Sequence, residues 1–569
     1  MVKLKKFFYF FLILSLISFI NSKLNIPNFQ CGVNNIKIEQ EQVDINKKNN
    51  HVNLLQFREE SDRDIPYTPI KIGFDFSSFK KPDNMTDDIY DKLKNFIIDT
   101  GKEYQKFLKV QHSDFDFAQI KNKVIERCSV PEIGDDYENY LYNYDIMIFP
   151  LFDNLAERII AGGLSCLTLK KNDKPVIGTL YININLDLNM TNIDIFIKRF
   201  LMHELAHILG FDSSILERRG LLKQKNENEF VISSPKVLYE ARKHFNCNSL
   251  EGVPFENQGG SGSAGTHWET RYMLGDYMVS TSYDEWLISN MTLALFEDLG
   301  FYKVDYNISG SLFKFGKNKG CDFFEKKCIE NGKPTFDEYC SEEISRCTSS
   351  LTNKGVCGLH KYVDDIEEEY QYFDDPKYGG LFSANYCPVT ETYNPKNNFL
   401  TQNCRHGDNF QSDYGEIIGD HSFCFISSLL PISSLLFSRE ETAICYEVKC
   451  DKKLKQIIVN IGKQSINCPK EGGNITTTGF KGFLICPKYN DICSDDNEIL
   501  CNDMFDCINA AYYKNIPFIF RDKNVLIFTI SVAICLLLLV CFCIIRSYKR
   551  NNGKKLHSIF IEEKNLIYN

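Results

Sequence analysis

A regular alternation of apolar and polar residues marks the segment from 180 to 188. Apolar side chains stand at every second position between mostly polar neighbours, at Leu180, Ile182, Ile184, Leu186 and Leu188. A period of two is typical of a β-strand with one buried and one exposed face. The pattern therefore predicts a half-buried strand.

A segment with helical spacing follows this strand. Thr191 is suited to cap the helix, and Asp194 stands three residues later, where a capping-box carboxylate belongs. Apolar residues recur along the segment at Ile195, Phe196, Phe200, Leu201, Ile208 and Leu209. Gly210 is placed to end the helix. The sequence thus predicts a helix from Thr191 to about Gly210.

The N-terminus has the pattern of a secretory signal peptide. Three lysines, at Lys3, Lys5 and Lys6, precede an apolar run over 7–20, and the small residue Ser22 follows. A basic start, a short apolar core and a small residue are the signature of a cleaved leader. We therefore assign 1–22 to a signal peptide, which directs the chain to the secretory route.

A second apolar run lies near the C-terminus. Residues 525–545 carry no charge and are long enough to span a bilayer. Five basic residues follow, at Arg546, Lys549, Arg550, Lys554 and Lys555. The positive-inside rule then places the tail 546–569 in the cytoplasm. The sequence predicts a single-pass type I protein of the cell surface or an endomembrane, with an extracellular or lumenal body.

Composition narrows the classes of partner. The chain has 569 residues, 43% of them hydrophobic, which leaves room for several folded domains. Its net charge is −10, and acidic and basic residues are interspersed. Because there is neither a basic patch nor a nucleic-acid motif, we expect no nucleic-acid partner.

The predicted helix carries the pattern His-Glu-x-x-His, formed by His203, Glu204 and His207. Two imidazoles four residues apart project from one face of a helix and can bind one Zn²⁺, with the glutamate aimed at the open position of the metal. The alternative is a core helix with two ordinary histidines. The helical context favours the zinc site.

This arrangement predicts peptide hydrolysis. Zinc lowers the pKa of a bound water toward about 7 and polarises a carbonyl, while Glu204 would act as catalytic acid and base. A strand beside such a helix suits a protease, because an extended peptide can pair with a sheet edge. Protein or peptide substrates are therefore expected.

A catalytic zinc usually has three protein ligands, so a third must be found. The compact pattern with a histidine three residues after the glycine is absent, because Ser213 occupies that position. His244, His267 or an acidic residue remain. His244 is expected on the surface of a helix. His267 follows a glycine-rich run that lets the backbone approach a metal, and Met278 lies downstream in a candidate Met-turn, so we select His267.

Four motifs resemble the leishmanolysin-like metallopeptidases. They are His-Glu-Leu-Ala-His-Ile-Leu-Gly-Phe over 203–211, Thr-His-Trp-Glu over 266–269, the segment around Met278, and Leu-Ala-Leu-Phe-Glu-Asp-Leu-Gly-Phe-Tyr over 293–302. The order matches that of the family, including its long insertion before the third histidine. The resemblance covers roughly 64–315 in detail and the remainder in its cysteine-rich character.

The resemblance implies an α+β fold of the metzincin type. It implies an N-terminal α/β catalytic subdomain over 64–211 that ends in the zinc helix, and a central subdomain over 212–315. A disulfide-rich region over 316–518 would follow and precede the membrane helix. By the same resemblance, one Zn²⁺ per chain would be held by His203, His207 and His267, with Glu204 as the catalytic residue and Met278 beneath the metal.

Cysteine usage agrees with an oxidising compartment. Of 22 cysteines, three lie in the predicted span, and fifteen of the other 19 fall between Cys321 and Cys507. Such density predicts a disulfide-bonded region. Cys128 and Cys166 are expected to pair within the N-terminal subdomain.

Cys31 stands apart from the other cysteines. It lies in a largely polar segment over 23–63 that we interpret as a removable pro-segment. An odd count of 19 leaves one thiol over, and without Cys31 the remaining 18 could form nine bridges. Cys31 is therefore a candidate latency switch that binds the zinc until the pro-segment is removed; an ordinary bridge or a free thiol is the alternative.

Five sequons fit an extracellular or lumenal body as candidate N-glycosylation sites: Asn84, Asn189, Asn290, Asn307 and Asn474.

Two functions from different classes remain open. One is a membrane-anchored zinc endopeptidase that acts on extracellular or endosomal proteins and contributes to cell adhesion. The other is a catalytically weak, protease-like surface protein that works in adhesion or binding. Intact Glu204 favours the enzyme, since a degenerate relative would be expected to lose it. A third interpretation keeps the peptidase but replaces His267 with a glutamate ligand.

Overall fold

A computed structural model of the chain describes residues 41–43 and 65–514, with internal gaps. The gaps fall at 113–116, 136–142, 156–158, 186–192, 227–228, 258–263, 281–284, 310–312, 393–402, 406–414, 435 and 494–503. The predicted signal peptide, Cys31, Asn189 and the predicted membrane span therefore lie outside the described residues.

Two sheets organise the N-terminal part. Its strands are β1 (Glu41–Val43), β2 (Tyr67–Pro69), β3 (Ile72–Phe74), β4 (Leu108–Gln111), β5 (Ile146–Asp153), β6 (Ala161–Leu169) and β7 (Pro175–Asn183). Five form one sheet in the order β1-β6-β7-β5-β3. β6 is antiparallel to β7, whereas the other three pairings are parallel. Strands β2 and β4 pair separately.

The alternating segment forms a strand with a different environment from the predicted one. Leu180 and Ile182 lie in β7, but this strand ends at Asn183, before Ile184. All nine residues of β7 are buried. The prediction of a half-buried strand is wrong, because β7 lies between β5 and β6 and is covered on both faces of the sheet. The adjacent apolar residues Val176 and Ile177 indicate burial on both faces, because neighbouring residues of a strand point to opposite faces.

Three helices accompany this sheet: α1 (Asp87–Phe107), α2 (Phe117–Arg127) and α3 (Ile193–Ile208). The helix α3 carries the His-Glu-x-x-His pattern. It ends as predicted, since Gly210 adopts a φ of 119°. The Gly210 N–H donates to the His207 carbonyl (3.1 Å), and the Phe211 N–H donates to the Ala206 carbonyl (3.0 Å). These two bonds form the Schellman closure that a C-terminal glycine allows.

The helices α2 and α3 both pack on the sheet. A buried apolar cluster joins α2 to the sheet through Ile120, Val124, Cys128, Val130, Ile133, Met147, Phe149, Cys166, Leu167, Leu169, Val176 and Ile177. The Cys128–Cys166 bridge lies within this cluster, as predicted. Helix α3 approaches so closely that a β-carbon at Gly178 would lie 2.2 Å from Cγ2 of Ile208. The helix is thus seated directly on the sheet.

The central part contains short helices and strands. They are α4 (Ser213–Arg218), β8 (Leu222–Asn226), β9 (Glu229–Ile232), α5 (Pro235–Phe245), β10 (Val253–Phe255), α6 (Thr270–Met273), α7 (Asn290–Asp298), β11 (Tyr302–Val304) and a 3₁₀ turn (Tyr306–Ser309). β8, β9 and β10 form an antiparallel sheet. β11 pairs with β4 and so returns the chain to the N-terminal part.

The C-terminal part consists mostly of short antiparallel strands. Its small elements are α8 (Asp322–Glu325), β12 (Ile329–Glu330), β13 (Lys333–Pro334), β14 (Ser345–Cys347), β15 (Lys354–Cys357), β16 (His360–Lys361), a 3₁₀ turn (Glu368–Tyr370), β17 (Tyr378–Gly379), a 3₁₀ turn (Phe382–Ala384) and β18 (Thr390–Glu391). The later elements are β19 (Ser422–Ser427), β20 (Leu430–Pro431), β21 (Thr442–Asp451), β22 (Gln456–Ile461), β23 (Gln464–Asn467), β24 (Gly473–Ile475), β25 (Phe480–Lys481), β26 (Leu484–Cys486), α9 (Tyr489–Ile492) and α10 (Met504–Lys514). Six of these strands form the largest sheet, in the order β23-β22-β21-β19-β26-β24.

Disulfides are concentrated in this C-terminal part, as the cysteine count predicts. Six bridges lie wholly within it: Cys328–Cys387, Cys340–Cys357, Cys347–Cys424, Cys404–Cys445, Cys450–Cys493 and Cys468–Cys486. A further bridge joins Cys247 of the central part to Cys321. Cys507 is also disulfide-bonded. The chain is therefore a mixed α/β protein with a disulfide-rich C-terminal part.

The chain divides into two units, Met1–Ile508 and Asn509–Asn569. Within the described residues, no helix combines the length and the apolar character needed to cross a bilayer. The span predicted at 525–545 is outside those residues and stays a prediction.

Candidate functional site

Three histidine side chains converge in the structure. The Nε2 atom of His203 lies 3.1 Å from Nε2 of His207 and 3.2 Å from Nε2 of His267. A tetrahedral zinc with Zn–N bonds of about 2.0–2.1 Å would separate its nitrogen ligands by about 3.4 Å. The three nitrogens are therefore spaced to share one metal ion. Elsewhere in the described part of the chain, no other group of His, Cys or carboxylate side chains meets in this way.

Each of these imidazoles is oriented through its other nitrogen. Nδ1 of His203 lies 2.5 Å from the Tyr277 carbonyl oxygen, and Nδ1 of His207 lies 2.7 Å from the Phe211 carbonyl oxygen. Nδ1 of His267 lies 3.1 Å from the Thr266 hydroxyl. A proton on Nδ1 satisfies both carbonyls and leaves the Nε2 lone pair free for a metal. The surroundings thus select the metal-binding tautomer.

Burial keeps two of the rings neutral. It lowers the pKa of His203 to about 3, to which the neighbouring His207 contributes, and the pKa of His207 to about 4. Neutral imidazole is the form that binds zinc. The helix therefore presents two rings that are ready for the metal at any pH near neutrality.

Glu204 is fixed by the neighbouring sheet. Its Oε2 accepts a hydrogen bond of 2.7 Å from the Gly163 N–H of β6. A β-carbon at Gly163 would lie 2.1 Å from the Glu204 carbonyl oxygen, so any larger residue would push the strand away. Gly163 thus brings β6 against the helix and aims the carboxylate.

The segment that carries His267 is held like a short strand. The Glu256 N–H donates to the His267 carbonyl (2.8 Å), and the Glu269 N–H donates to the Pro254 carbonyl (3.2 Å). On its other side, the Trp268 N–H donates to the Met278 carbonyl (3.0 Å). His267 therefore lies between β10 and the turn that contains Met278.

A buried hydrogen-bond network fixes this turn. Asp276 accepts bonds from the Met278 N–H (2.8 Å), the Ser289 N–H (3.1 Å) and the Thr292 hydroxyl (2.7 Å). Thr292 in turn accepts from the Trp268 indole N–H (2.8 Å). Burial raises the pKa of Asp276 to about 6. One carboxylate thus connects the turn, helix α7 and the His267 segment.

Met278 is fully buried in this turn, next to the Tyr277 carbonyl that orients His203. The hydroxyl of Tyr277 lies 3.3 Å from that of Tyr104 on α1, and the Tyr104 hydroxyl donates to the Met202 carbonyl (2.6 Å). The turn is therefore connected to the helix α3 on two sides.

His244 has a different environment. Its Nε2 lies 2.8 Å from the Phe315 carbonyl oxygen, and its ring contacts Phe313. The side chain is half-buried rather than on the surface, and burial lowers its pKa to about 4. The structure thus places His244 in a packing contact and brings His267, not His244, to the other histidines.

Several residues that shape the site were not identified from the sequence. Gly163 had a signal, since the pair Gly162–Gly163 inside an apolar run indicates a close backbone approach. Asp276 was visible only as part of the Met278 segment. Tyr104 had no signal, because its contact with Met202 depends on how α1 packs against α3.

A polar cavity of about 490 Å³ adjoins the His267 segment. Its lining consists of Asn226, Glu229, Pro254, Phe255, Asn257, Glu269, Arg271, Tyr272, Glu369, Tyr370 and Asn385. Burial raises the pKa of Glu269 to about 8. None of the three clustered histidines is in this lining, so the cavity neighbours the histidine cluster without containing it.

Most of the chain matches a known family. Residues 77–499 match the family model for leishmanolysin. The segment includes the three histidines, Glu204, Met278 and all but the last part of the cysteine-rich region.

Individual relatives agree with this match. The chain is 28% identical to leishmanolysin of Leishmania donovani over 433 residues, which cover 72% of this chain and 71% of that protein. It is 30% identical to the leishmanolysin homolog of Crithidia fasciculata over 326 residues (55% and 49%), and 31% identical to the leishmanolysin-like peptidase of Caenorhabditis elegans over 307 residues (47% and 46%). The chain thus spans between about half and about seven tenths of the length of these relatives.

Proposed function

This chain belongs to the leishmanolysin family of zinc metallopeptidases, and from that membership we propose that it is a zinc-dependent endopeptidase of extracellular or endosomal proteins. The observation that carries the proposal is the meeting of three imidazole Nε2 atoms, with separations of 3.1 and 3.2 Å, beside Glu204. Neutral rings that are already oriented favour a site for one Zn²⁺ over a core helix with ordinary histidines.

The side chains have separate roles in this proposal. His203, His207 and His267 would hold the metal, which when bound would polarise a scissile carbonyl and acidify a water molecule. Glu204 would accept the proton of that water and pass it to the departing amine. The Gly163 N–H donates a hydrogen bond of 2.7 Å to one carboxylate oxygen of Glu204 and so holds that oxygen in place. Met278 would support the site from the buried turn.

We further propose that the protein is anchored in a membrane as a single-pass type I protein. The support is the uncharged run at 525–545 and the basic residues after it. The disulfide-rich part agrees with an oxidising compartment. Removal of residues 525–569 is expected to release the protein into the medium of expressing cells; retention of the truncated protein in the membrane fraction would contradict the anchor.

Latency through Cys31 is a second part of the proposal. The bridges and Cys507 use seventeen of the 19 cysteines outside the predicted span, so only Cys31 and Cys501 are left besides them. Cys507 needs a partner of its own. If that partner is Cys501, Cys31 is the thiol left over and is available as a zinc ligand in the precursor. A Cys31→Ser precursor is expected to cleave short peptides without processing, and full latency of that variant toward short peptides would count against the switch.

The candidate glycosylation sites differ in their surroundings. Asn84, Asn307 and Asn474 are exposed, and we propose glycans there. The Asn290 side-chain amide donates to Glu240 (2.8 Å), and the Thr292 of its sequon is buried, so we expect a low occupancy at Asn290. Asn189 remains a candidate from the sequence. Mass spectrometry of tryptic glycopeptides would measure the occupancy of each site.

A contribution to adhesion is the second candidate function. The loop after β20 exposes three apolar side chains, of Ile432, Leu436 and Phe437, and Phe437 is 94% exposed. Exposed apolar residues of this kind are typical of contact surfaces. The enzyme and the adhesion protein differ in one respect, because only the enzyme needs Glu204.

One experiment tests the peptidase directly. The purified full-length chain in detergent would be assayed on a protein substrate, with and without a zinc chelator, before and after limited proteolysis. We expect cleavage that rises after proteolysis and disappears with the chelator. Cleavage that is unaffected by the chelator, or no cleavage in any arm, would contradict the proposal.

A further inference from the structure

Strand β6 is the second strand of the five-stranded sheet, between β1 and β7, and its Gly163 N–H donates to Glu204. One of its edges pairs with β7, from Ala161 opposite Ile182 to Thr168 opposite Pro175. One of its faces contacts α3 and the other contributes Leu167 and Leu169 to the cluster around α2. Its second edge is therefore the place where the sheet can accept another strand.

Three residues of the predicted pro-segment occupy part of that edge. β1 pairs in parallel with β6, with Glu41 opposite Leu167, Gln42 opposite Thr168 and Val43 opposite Leu169. β1 lies within 23–63, the segment that we expect to be removed. The pairing thus joins β1, in a segment that we expect to be cleaved off, to β6, which we expect to remain in the processed enzyme.

The position of this contact along β6 is informative. Gly163, whose N–H holds Glu204, stands four residues before Leu167, which corresponds to about 13 Å along a strand. The edge that begins beside the catalytic carboxylate therefore continues within β6 to the residues that pair with β1, past an irregularity in the pairing with β7 between Ser165 and Leu167. An extended peptide that pairs with this edge from Gly163 as far as Leu167 would therefore collide with β1.

We propose that the edge of β6 is a docking surface for β1, and that this pairing excludes long substrates from the precursor. The inference rests on the proposed peptidase function and names a second element of its latency. Main-chain hydrogen bonds hold β1 in place, so that the edge becomes available only when the pro-segment leaves. A thiolate switch would block the metal, whereas β1 blocks the path of the substrate chain.

Blocking of the metal by Cys31 and blocking of the edge by β1 should depend differently on the length of the substrate. A Cys31→Ser precursor keeps β1 in place, so it is expected to cleave peptides too short to reach Leu167. Cleavage of proteins and of peptides that extend more than about four residues along the edge is expected to stay at least tenfold lower than in the processed enzyme.

Proline substitution tests the pairing without a change in the catalytic residues. In a parallel strand only alternate residues direct their N–H to a given neighbour, and proline removes that donor. Of Glu41→Pro and Gln42→Pro, one therefore removes a bond to β6 and the other is the matched control for proline itself. In the Cys31→Ser background, we expect one of the two to restore cleavage of long substrates and the other to have little effect.

Hydrogen exchange gives a readout that does not depend on peptidase activity. Amides of 165–169 are expected to exchange at least tenfold more slowly in the full-length precursor than in the processed chain, and the effective proline variant should remove this protection. Equal exchange in precursor and processed chain would overturn the docking of β1. If the protection is present but no variant cleaves any substrate, the peptidase proposal fails while the docking stands.

A peptide added in trans covers the case in which the proline variants do not fold. A synthetic peptide of residues 36–47, added to the processed enzyme, is expected to inhibit cleavage of long substrates competitively and to slow exchange at 165–169. The same peptide with proline at the effective position is the control. Equal potency of the two peptides, or no effect of either, would contradict pairing at this edge.

Discussion

The catalytic part and the cysteine-rich part of this molecule are stabilised in different ways. Around the histidines, strands of eight and nine residues and a helix of sixteen residues pack together, and most of their described residues are buried. One bridge, Cys128–Cys166, lies within the N-terminal part. Beyond Cys321, many strands have only two to four residues, and the described residues there form six bridges and include a further bonded cysteine, Cys507. Long elements hold the first region, and covalent links support the second.

The histidine site and most of the disulfide bridges therefore lie in separate regions. The histidines are oriented by backbone carbonyls and by the buried Asp276 network, and none of these contacts involves a cysteine. The site should therefore tolerate changes in the cysteine-rich part better than changes in its own hydrogen bonds. The following predictions test this contrast.

Glu204→Gln is expected to have the largest effect. The amide keeps an oxygen for the Gly163 N–H, but it cannot take up a proton, so the rate should fall by about 10²–10⁴-fold. Zinc content and melting temperature should change little, because the metal ligands are untouched. Steady-state cleavage and metal analysis of the same preparation would check both. A variant that keeps near wild-type cleavage would remove Glu204 from the chemistry.

Loss of one bridge should affect the two regions unequally. Cys128–Cys166 and Cys404–Cys445 close loops of similar length, with sequence separations of 38 and 41, so their loop-closure entropies are matched. Each Ser–Ser variant is expected to lose about 2–5 kcal/mol of stability. We expect the Cys404/Cys445 variant to become protease-sensitive in the C-terminal part while it keeps its zinc.

The paired variant sharpens the result. With the bridge between Cys128 and Cys166 replaced, the apolar cluster around α2 remains and should keep the fold intact at a lower melting temperature. Limited proteolysis with mass mapping separates the two outcomes. Zinc loss on removal of the C-terminal bridge would contradict the proposed separation of site and support.

Gly163→Ala is expected to have an intermediate effect. The new methyl group would lie 2.1 Å from the Glu204 carbonyl oxygen, so β6 must shift, at a cost of about 1–3 kcal/mol. Activity should fall as well, because the strand also aims the carboxylate. Gly178→Ala is the matched control, since its methyl group would meet Ile208 of the same helix and not Glu204. Equal activity of both variants at equal stability would contradict the role of Gly163.

The smallest expected effect is the change of stability with pH that arises from His244, whose ring contacts the Phe315 carbonyl. The pKa of His244 falls from an ordinary value near 6.5 to about 4 in the folded chain. Between these values the unfolded chain binds a proton that the folded chain does not, so stability falls as the pH is lowered through this window. His244→Gln keeps an N–H donor but does not titrate.

The melting temperature of the wild type should therefore fall by a few degrees more than that of His244→Gln between pH 7 and pH 4.5. Between pH 7 and pH 8, the two proteins should differ by a constant amount. Parallel curves over the whole range would show that His244 titrates alike in both states.

Local features were predictable from the sequence where one residue type decides the structure. The end of α3 is such a case, because only a glycine at position 210 readily takes a φ of 119° and closes the helix. The Cys128–Cys166 pairing is another, since few other cysteines lie in that part of the chain. The family assignment was also accessible from its motifs.

Other features depend on contacts that no local pattern contains. The alternation of residues predicts the wrong environment for β7, because it cannot show that β5 and β6 lie on both sides of this strand. The bond from Tyr104 to Met202 joins residues 98 positions apart and follows from helix packing. Likewise, the pairing of β1 with β6 is set by the sheet, while the sequence around it is mainly polar.

Zinc content of His267→Ala beside His244→Gln tests the central claim most directly. Both histidines follow the His-Glu-x-x-His helix, but only His267 brings its Nε2 to within 3.2 Å of His203. We predict about one zinc per chain in the wild type and in His244→Gln, and a large loss in His267→Ala, by mass spectrometry of dialysed protein. A His267→Ala chain that is folded and still holds one zinc as tightly as the wild type would contradict the account.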